Sequence, residues 1–460
     1  MKFYDIQPTD DAILSSFEDN LIGRNEDLRY FVELLNSMEN GCSIALDARW
    51  GEGKTFFIKH AKLVMDAHNA HLSVLETDEK NRVQIAWAKI KGNKSIELQP
   101  HVSVYYDAWR NDNDEDPILS LVYTILQTVS FDAELTKGRK CAEIASNLVD
   151  AVTGRNISAA LKSLAGDDPL AKLRNMKSLE AQIAEFLDSL LAEKGNRLVV
   201  FVDELDRCRP TFAVQVLERI KHCFANERIT FVFAVNIGEL QHTIKKCYGE
   251  GYDACRYLDR FFDFRVGLPP ADKTSFCNHI GLNNYWTYES VCKAVIAENH
   301  MSLREVSKFY RLARTAAYSA THNIGVSHMY ETRANYFCLI CIVPVMLGLK
   351  VADHTKYEAF ISGRDKEPLI RVFRGEDVLL GIFEELLSRD ESYEPQRANG
   401  EVHTVLLEEK LTAVYEALFV YPYSGSIYEK EIGRIRFNEK TKKTLFQVVS
   451  ILSGYADYEV

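Results

Sequence analysis

The stretch from Cys42 to Ala67, CSIALDARWGEGKTFFIKHAKLVMDA, constrains this chain's fold more than any other. An apolar strand runs straight into the glycine pair Gly51 and Gly53, and Phe57, Ile58, Ala61 and Met65 then recur at helix period. Strand, glycine loop and helix together form the setting of the phosphate-loop pattern G-x-x-x-x-G-K-[ST]. Such a loop works because successive backbone N–H groups curl around phosphate oxygens at a helix N-terminus, where the dipole also favours negative charge. Here Gly51 and Gly53 flank Glu52, Lys54 can reach the β and γ phosphates, Thr55 can offer its hydroxyl to magnesium, and Phe56 follows in the first helical turn. Ala48 stands where the pattern has its first glycine. One methyl group there is a small obstacle beside the loss of Gly53 or Lys54, so a working site is expected.

Three further segments carry chemistry. LVVFVDELDR and ITFVFAVN lack alternation, as strands buried on both faces of a parallel sheet do. The first ends in Asp203 and Glu204. A carboxylate at a strand tip can hold the water shell of magnesium, and the next can orient and deprotonate an attacking water. The competing role for Asp203 or Asp206 is a helix N-cap, but two acids at one tip exceed what a cap requires. Asn236 ends the second run, placed to bond a γ-phosphate or water, though an isolated Asn after a strand is commonly a turn former. Arg256 and Arg260, in ACRYLDRFFDF, suit either a finger reaching a neighbour's γ-phosphate or a cap on a helix C-terminus.

At 460 residues, 47% of them hydrophobic, the chain can build two or three domains. FEDNLIGRNEDLRYFVELLNSM places Leu28, Phe31, Leu34 and Leu35 on one helix face after a candidate cap, Asn25. RVQIAWAKI and SIELQ suggest an edge hairpin across KGNK, and HVSVYYDAW another core strand. From about 112 to 194 the text is helical, with Leu179, Ile183, Phe186, Leu187 and Leu190 on one face and Gly195 as a stop. After FDFRVGLPP strand signals cease, so residues 271–460 read as amphipathic helices.

The net charge of −11 argues against a general electrostatic grip on nucleic acid, leaving only a local basic groove open. Ten scattered cysteines and an N-terminus without a signal-peptide layout suggest a reducing, cytosolic setting. The apolar run Tyr336 to Leu349 is short for a bilayer and contains Pro344, so a buried helix is expected rather than a membrane span. Cys338 and Cys341, like His68 and His71, lack the second pair that a zinc site needs.

The ordered set ARWGEGKT, VYYDAWRNDNDEDP, VFVDELDRCRP, AVNIGELQHTIKKCYG and YLDRFFDFRVGLP resembles the KAP family of phosphate-loop NTPases over residues 20 to 275. The resemblance implies an α/β fold, a P-loop NTPase parallel sheet flanked by helices, with a helical insert and a helical C-terminal part. The domains would be 1–270 (insert about 112–194), a helical lid at 271–360 and a C-terminal helical domain at 361–460. It implies Lys54 and Thr55 in Walker A, Asp203 and Glu204 in Walker B, Asn236 as sensor, and Arg304 in SLREV as a second sensor. IGRNEDL would contact adenine, with Gly23 giving backbone access to the base. ATP and Mg2+ are the implied cofactors, with a homo-oligomer and separate effector proteins in anti-phage defence as the implied setting. Many family members carry membrane helices in this domain, and none is visible here.

The activity these features point to is Mg-dependent ATP hydrolysis, with Lys54, Glu204, Asn236 and Arg260 of a neighbour acting on the γ-phosphate. A nucleotide-held scaffold without turnover is the rival reading. A kinase fits less well, because an acid directly after the Walker B Asp favours water as acceptor.

Overall fold

The structure, a computed structural model, describes residues 8–72, 74–90, 97–114, 116–130, 169–223, 226–283, 287–321, 332–374, 380–388, 390, 404–423 and 429–453. Its contacts divide the chain into two compact units, Gln7–Asp272 and Lys273–Val460.

The first unit is built on strands β1 (Cys42–Asp47), β2 (His101–Asp107), β3 (Arg197–Asp203), β4 (Ile229–Val235) and β5 (Phe264–Gly267). They form one sheet in the order β2-β3-β4-β1-β5, and every pairing is parallel. All seven residues of β3 and of β4 are buried, which explains their unbroken apolar text. Alternate side chains serve opposite faces. Val199, Phe201, Val232 and Ala234 pack under α1 (Asp10–Glu18), α2 (Asn25–Ser37), α3 (Lys54–His68) and α4 (Thr77–Ala88). Val200, Val202, Phe231 and Phe233 face α5 (Pro117–Ser130), α6 (Pro169–Lys194), α7 (Pro210–Cys223), α8 (Ile237–Tyr248) and α9 (Ala254–Leu258).

Two local expectations are corrected. RVQIAWA is the end of α4, not a hairpin strand: Glu76 and Glu79 form a capping box, and Val83, Ala86, Trp87 and Ile90 are buried at helical spacing. SIELQ falls partly outside the described residues, and 97–100 carry no strand. Asn25 does not cap α2 but is its first residue, with its own N–H held by Asn20 Oδ1 at 3.1 Å. The insert face behaves as read for Ile183, Phe186, Leu187 and Leu190, while the Leu179 side chain and residues 131–168 lie outside the described residues.

The second unit begins with α10 (Lys273–His279), α11 (Thr287–Glu298) and α12 (Leu303–Thr321). Next comes a continuous helical run of α13 (Arg333–Phe337), a π turn (Cys338–Ile342) and α14 (Val343–Ala352). This run is longer than its sequence suggested, because the π turn places Pro344 at the start of α14, where a missing N–H costs little. Among the described residues it is the one helix long and apolar enough to cross a membrane, and 83% of its most apolar window is buried within the protein. The unit also holds an antiparallel hairpin absent from the helical reading, β6 (Glu429–Ile432) and β7 (Ile435–Asn438), followed by a last helix, Glu439–Ser453.

Candidate active site

The sheet register lines up the strand tips: Asp47 pairs with Val235, Ala234 with Asp203, and Asp203 with Asp107. Ligands of open parallel sheets bind outside these carboxyl ends. The glycine loop leaves β1 there and turns into α3. Gly51 and Gly53 have φ of 83° and 90°, left-handed values that L side chains avoid. Ala48 needs no such freedom, since among the described residues only Asn20, Glu204 and His300 combine a side chain with positive φ. Its N–H simply continues the β1–β4 pairing to the Val235 carbonyl at 3.2 Å.

Lys54 is buried and folds back on its own loop, donating to the carbonyls of Ala48 at 2.7 Å and Arg49 at 3.3 Å. Burial lowers its pKa, against the opposing pull of Asp206, Asp203 and Asp47. Thr55 Oγ1 donates to Asp203 Oδ2 at 2.6 Å, joining loop and strand tip across the intervening β4. Asp203 is 1% exposed and also accepts from Tyr105 OH at 3.0 Å and from the Glu204 N–H at 3.0 Å. Burial raises its pKa despite these three donors. A buried carboxylate whose hydrogen-bond partners are all neutral, beside a hydroxyl, is a hard-oxygen set that fits Mg2+.

Glu204 follows at φ 58° and caps a single 3-10 turn, Leu205–Arg207. Its carboxylate meets Arg207 Nη1 at 2.9 Å, and burial raises its pKa while Arg207 opposes the shift. Asp206 caps no helix. Its Oδ2 accepts from Trp50 Nε1 at 2.6 Å and from the Asn236 N–H at 3.1 Å, tying the glycine loop to the tips of β3 and β4. Asn236 is the N-cap of α8, with Oδ1 accepting from the Glu239 N–H at 3.4 Å. Asp47 Oδ1 holds the same helix start through the Ile237 N–H at 2.9 Å.

The segment read as an adenine contact reaches this site through a residue that the sequence did not single out. Arg24 is buried and donates from Nη1 to the Glu52 carbonyl at 2.6 Å. Burial pushes its pKa down to about 10, with Glu52 and Asp27 opposing. Gly23, at φ 68°, has its own structural reason: a Cβ there would come within 2.8 Å of Asp272 Cβ. Phe56 packs edge-on to His60.

Thus Lys54, Thr55, Asp203, Glu204 and Asn236 come together, joined by Asp47, Trp50, Tyr105, Asp206 and Arg207. Arg260 does not join them. The Asp263 N–H bonds the Ser43 carbonyl, so Arg260 lies beside the start of β1, roughly 13 Å along the strand from Asp47. With Asn40, Lys221, Phe231 and Asp263 it lines an open groove of about 420 Å3. Arg256 is exposed on α9, and Arg304 is exposed at the start of α12 in the second unit. Two acids of RNDNDEDP have structural partners: Asp112 binds Arg209, and Asp116 caps α5 and pairs with Arg219. Among the described residues no cluster of His, Cys, Asp or Glu could by itself hold a metal ion.

A parallel sheet with β4 interposed between the loop strand and the acid strand, a lysine and threonine at a helix start and paired acids opposite, defines a phosphate-loop NTPase site. The family model for the KAP family P-loop domain matches residues 28–299, and the chain belongs to that family. No curated protein matches it. Among solved structures, one titled as the Aeropyrum pernix ORC2 protein in ADPNP-ADP complexes is 12% identical over 94% of each chain. Its TM-score of 0.31 is too low to bear on fold or chemistry.

Proposed function

We propose that this chain is an ATP hydrolase that uses binding and turnover to drive assembly or a conformational change. The observation that carries the reading is the 2.6 Å contact of Thr55 with buried Asp203, which brings the loop hydroxyl and strand-tip carboxylate to one point. A Mg2+ ion held there by Thr55 and Asp203 would supply positive charge to the β and γ phosphates. Lys54 releases the Ala48 carbonyl to bind the phosphate tail, and loop N–H groups from Gly51 to Thr55 cradle it. Glu204 accepts the proton of the attacking water, and Asn236 bonds the γ-phosphate through its amide. Arg260, remote from its own site, serves a neighbouring subunit, which makes the active form a homo-oligomer. Separate effector proteins in an antiviral role belong to the same proposal, on family likeness alone.

The test is ATP turnover with Mg2+ by the purified chain beside Lys54→Ala and Glu204→Gln, with nucleotide binding followed in parallel. Both variants should lose about 10²-fold or more in rate, and Glu204→Gln should keep binding. Tight binding without turnover in the unmutated chain would instead support the scaffold reading. Arg260→Ala should depress turnover while leaving nucleotide affinity intact. Full activity in that variant, with a monomer sedimenting in ATP, would remove the oligomer from the proposal.

A further inference from the structure

Side chains three apart in a 3-10 turn eclipse one another, which is why Glu204, at the head of Leu205–Arg207, meets Arg207. The pair is partly shielded, with the two side chains 22% and 23% exposed. Arg207 is itself held in place. Its guanidinium lies over the indole of Trp50, 5.7 Å from the centroid, and over that of Trp109, 5.5 Å away. Trp50 is fixed in turn by its bond to Asp206, the residue next to Arg207. The glycine loop, the segment after β2 and the turn after β3 therefore converge on one cation, whose Nη1 meets Glu204 Oε1.

We propose that Arg207, held over Trp50 and Trp109, is a positioning residue that fixes the Glu204 carboxylate by one oxygen and leaves the other to take a proton from water. This rests on the ATPase reading above. The charged groups acting on Glu204 are Asp203 at the tip of β3, Asp107 at the tip of β2, Asp206 within the turn, and Arg207 as the opposing cation. Without Arg207 the Glu204 carboxylate loses the contact that orients it, so the loss falls on kcat rather than on ATP binding.

The experiment is kcat and KM for ATP at one neutral pH in the full chain, Arg207→Met, Arg207→Lys and Trp109→Ala. The infrared carboxylate stretches of Glu204, taken at the same pH as the difference from Glu204→Gln, run alongside. Arg207→Met should lower kcat by about 10- to 100-fold, change KM less than twofold and alter the splitting of the carboxylate stretches that an ion pair to one oxygen sets. Arg207→Lys should recover part of the loss, and Trp109→Ala should show a smaller loss of kcat. An unchanged kcat in Arg207→Met, or a change confined to KM, overturns the proposal. If the unmutated chain proves inactive, the ATPase reading fails by itself, and the infrared bands still decide: an unaltered Glu204 splitting in Arg207→Met refutes the positioning role. Should Arg207→Met not fold, Trp109→Ala carries the same infrared test.

Discussion

His60 lies on α3, the helix that the glycine loop starts, and is buried against α1 with Nε2 at 2.8 Å from Ser16 Oγ and 3.1 Å from the Ile13 carbonyl. Burial pushes its pKa down to about 4, with the Ile13 carbonyl opposing the shift. In the unfolded chain an ordinary histidine titrates near 6.5, so on acidification the unfolded state takes up a proton first. The folded pKa is depressed, so this contribution to stability is full above about pH 6.5 and is lost as pH falls towards 4. For pKa values of about 6.5 and 4, linkage gives a loss of roughly 2 kcal/mol between pH 7 and pH 5, or about 20-fold in the folding equilibrium. A folded value of about 5 would still give about 1.5 kcal/mol, so the size hardly depends on the depth of the shift. His101 is likewise held near 4 by burial, with Arg197 lowering it further, and adds a similar amount. Amide exchange in β1 and β4, interior strands paired on both sides, measures this once intrinsic rates are corrected. Protection should fall with pH, and His60→Gln, which keeps a donor for Ile13, should remove about 20-fold of that fall. An equal loss of protection in the variant would refute the reasoning.

Arg24→Ala should weaken ATP binding about tenfold or more, because one charge-assisted bond to the glycine loop, of about 1.5–3 kcal/mol, is lost. Unchanged calorimetric affinity would show that the Arg24–Glu52 contact does not shape the site. Gly433→Ala should destabilise the second unit by at least about 2 kcal/mol, since φ there is 59° and a Cβ would sit 2.2 Å from the Leu386 carbonyl oxygen. Proteolysis of that unit at fixed temperature reads the effect, and an unchanged rate would contradict the clash. Asn236→Ser keeps a helix cap but removes the amide, so a loss of kcat with unchanged melting would mark Asn236 as acting on the nucleotide rather than only starting α8.

The strands β3 and β4 were legible because burial on both faces leaves a run with no alternation, and α3 because its apolar period begins directly at the glycine loop. The α4 segment was misread because Val83, Ile85 and Trp87 alternate as in a strand, while Val83, Ala86, Trp87 and Ile90 also recur at helical spacing. Only packing separates the two patterns: Ile85 is 56% exposed and the helical set is buried. The signal that would have decided it, Glu76 with Glu79, stands just upstream. The site's supporting residues were hidden for a different reason. Trp50 meets Asp206 across 156 positions and Tyr105 meets Asp203 across 98, distances over which no local period or propensity speaks.

These hidden contacts follow from the interposed strand. With neighbours about 4.8 Å apart, placing β4 between β1 and β3 separates the tips of the loop strand and the acid strand by roughly 10 Å. The gap leaves room for a phosphate tail, but the acids and the lysine must then be held across it rather than by adjacent ladder bonds. Asp206 does this for the loop and β4, Thr55 for the loop and β3, and Asp47 for β1 and α8. Five carboxylates, Asp47, Asp107, Asp203, Glu204 and Asp206, stand around Lys54 and Arg207 at this edge. A bare polyphosphate would meet that excess of negative charge, whereas a nucleotide carrying a divalent cation brings compensation to Asp203, a buried acid whose hydrogen-bond donors are all neutral. The same charge excess surrounds Glu204, where Arg207 opposes three neighbouring carboxylates.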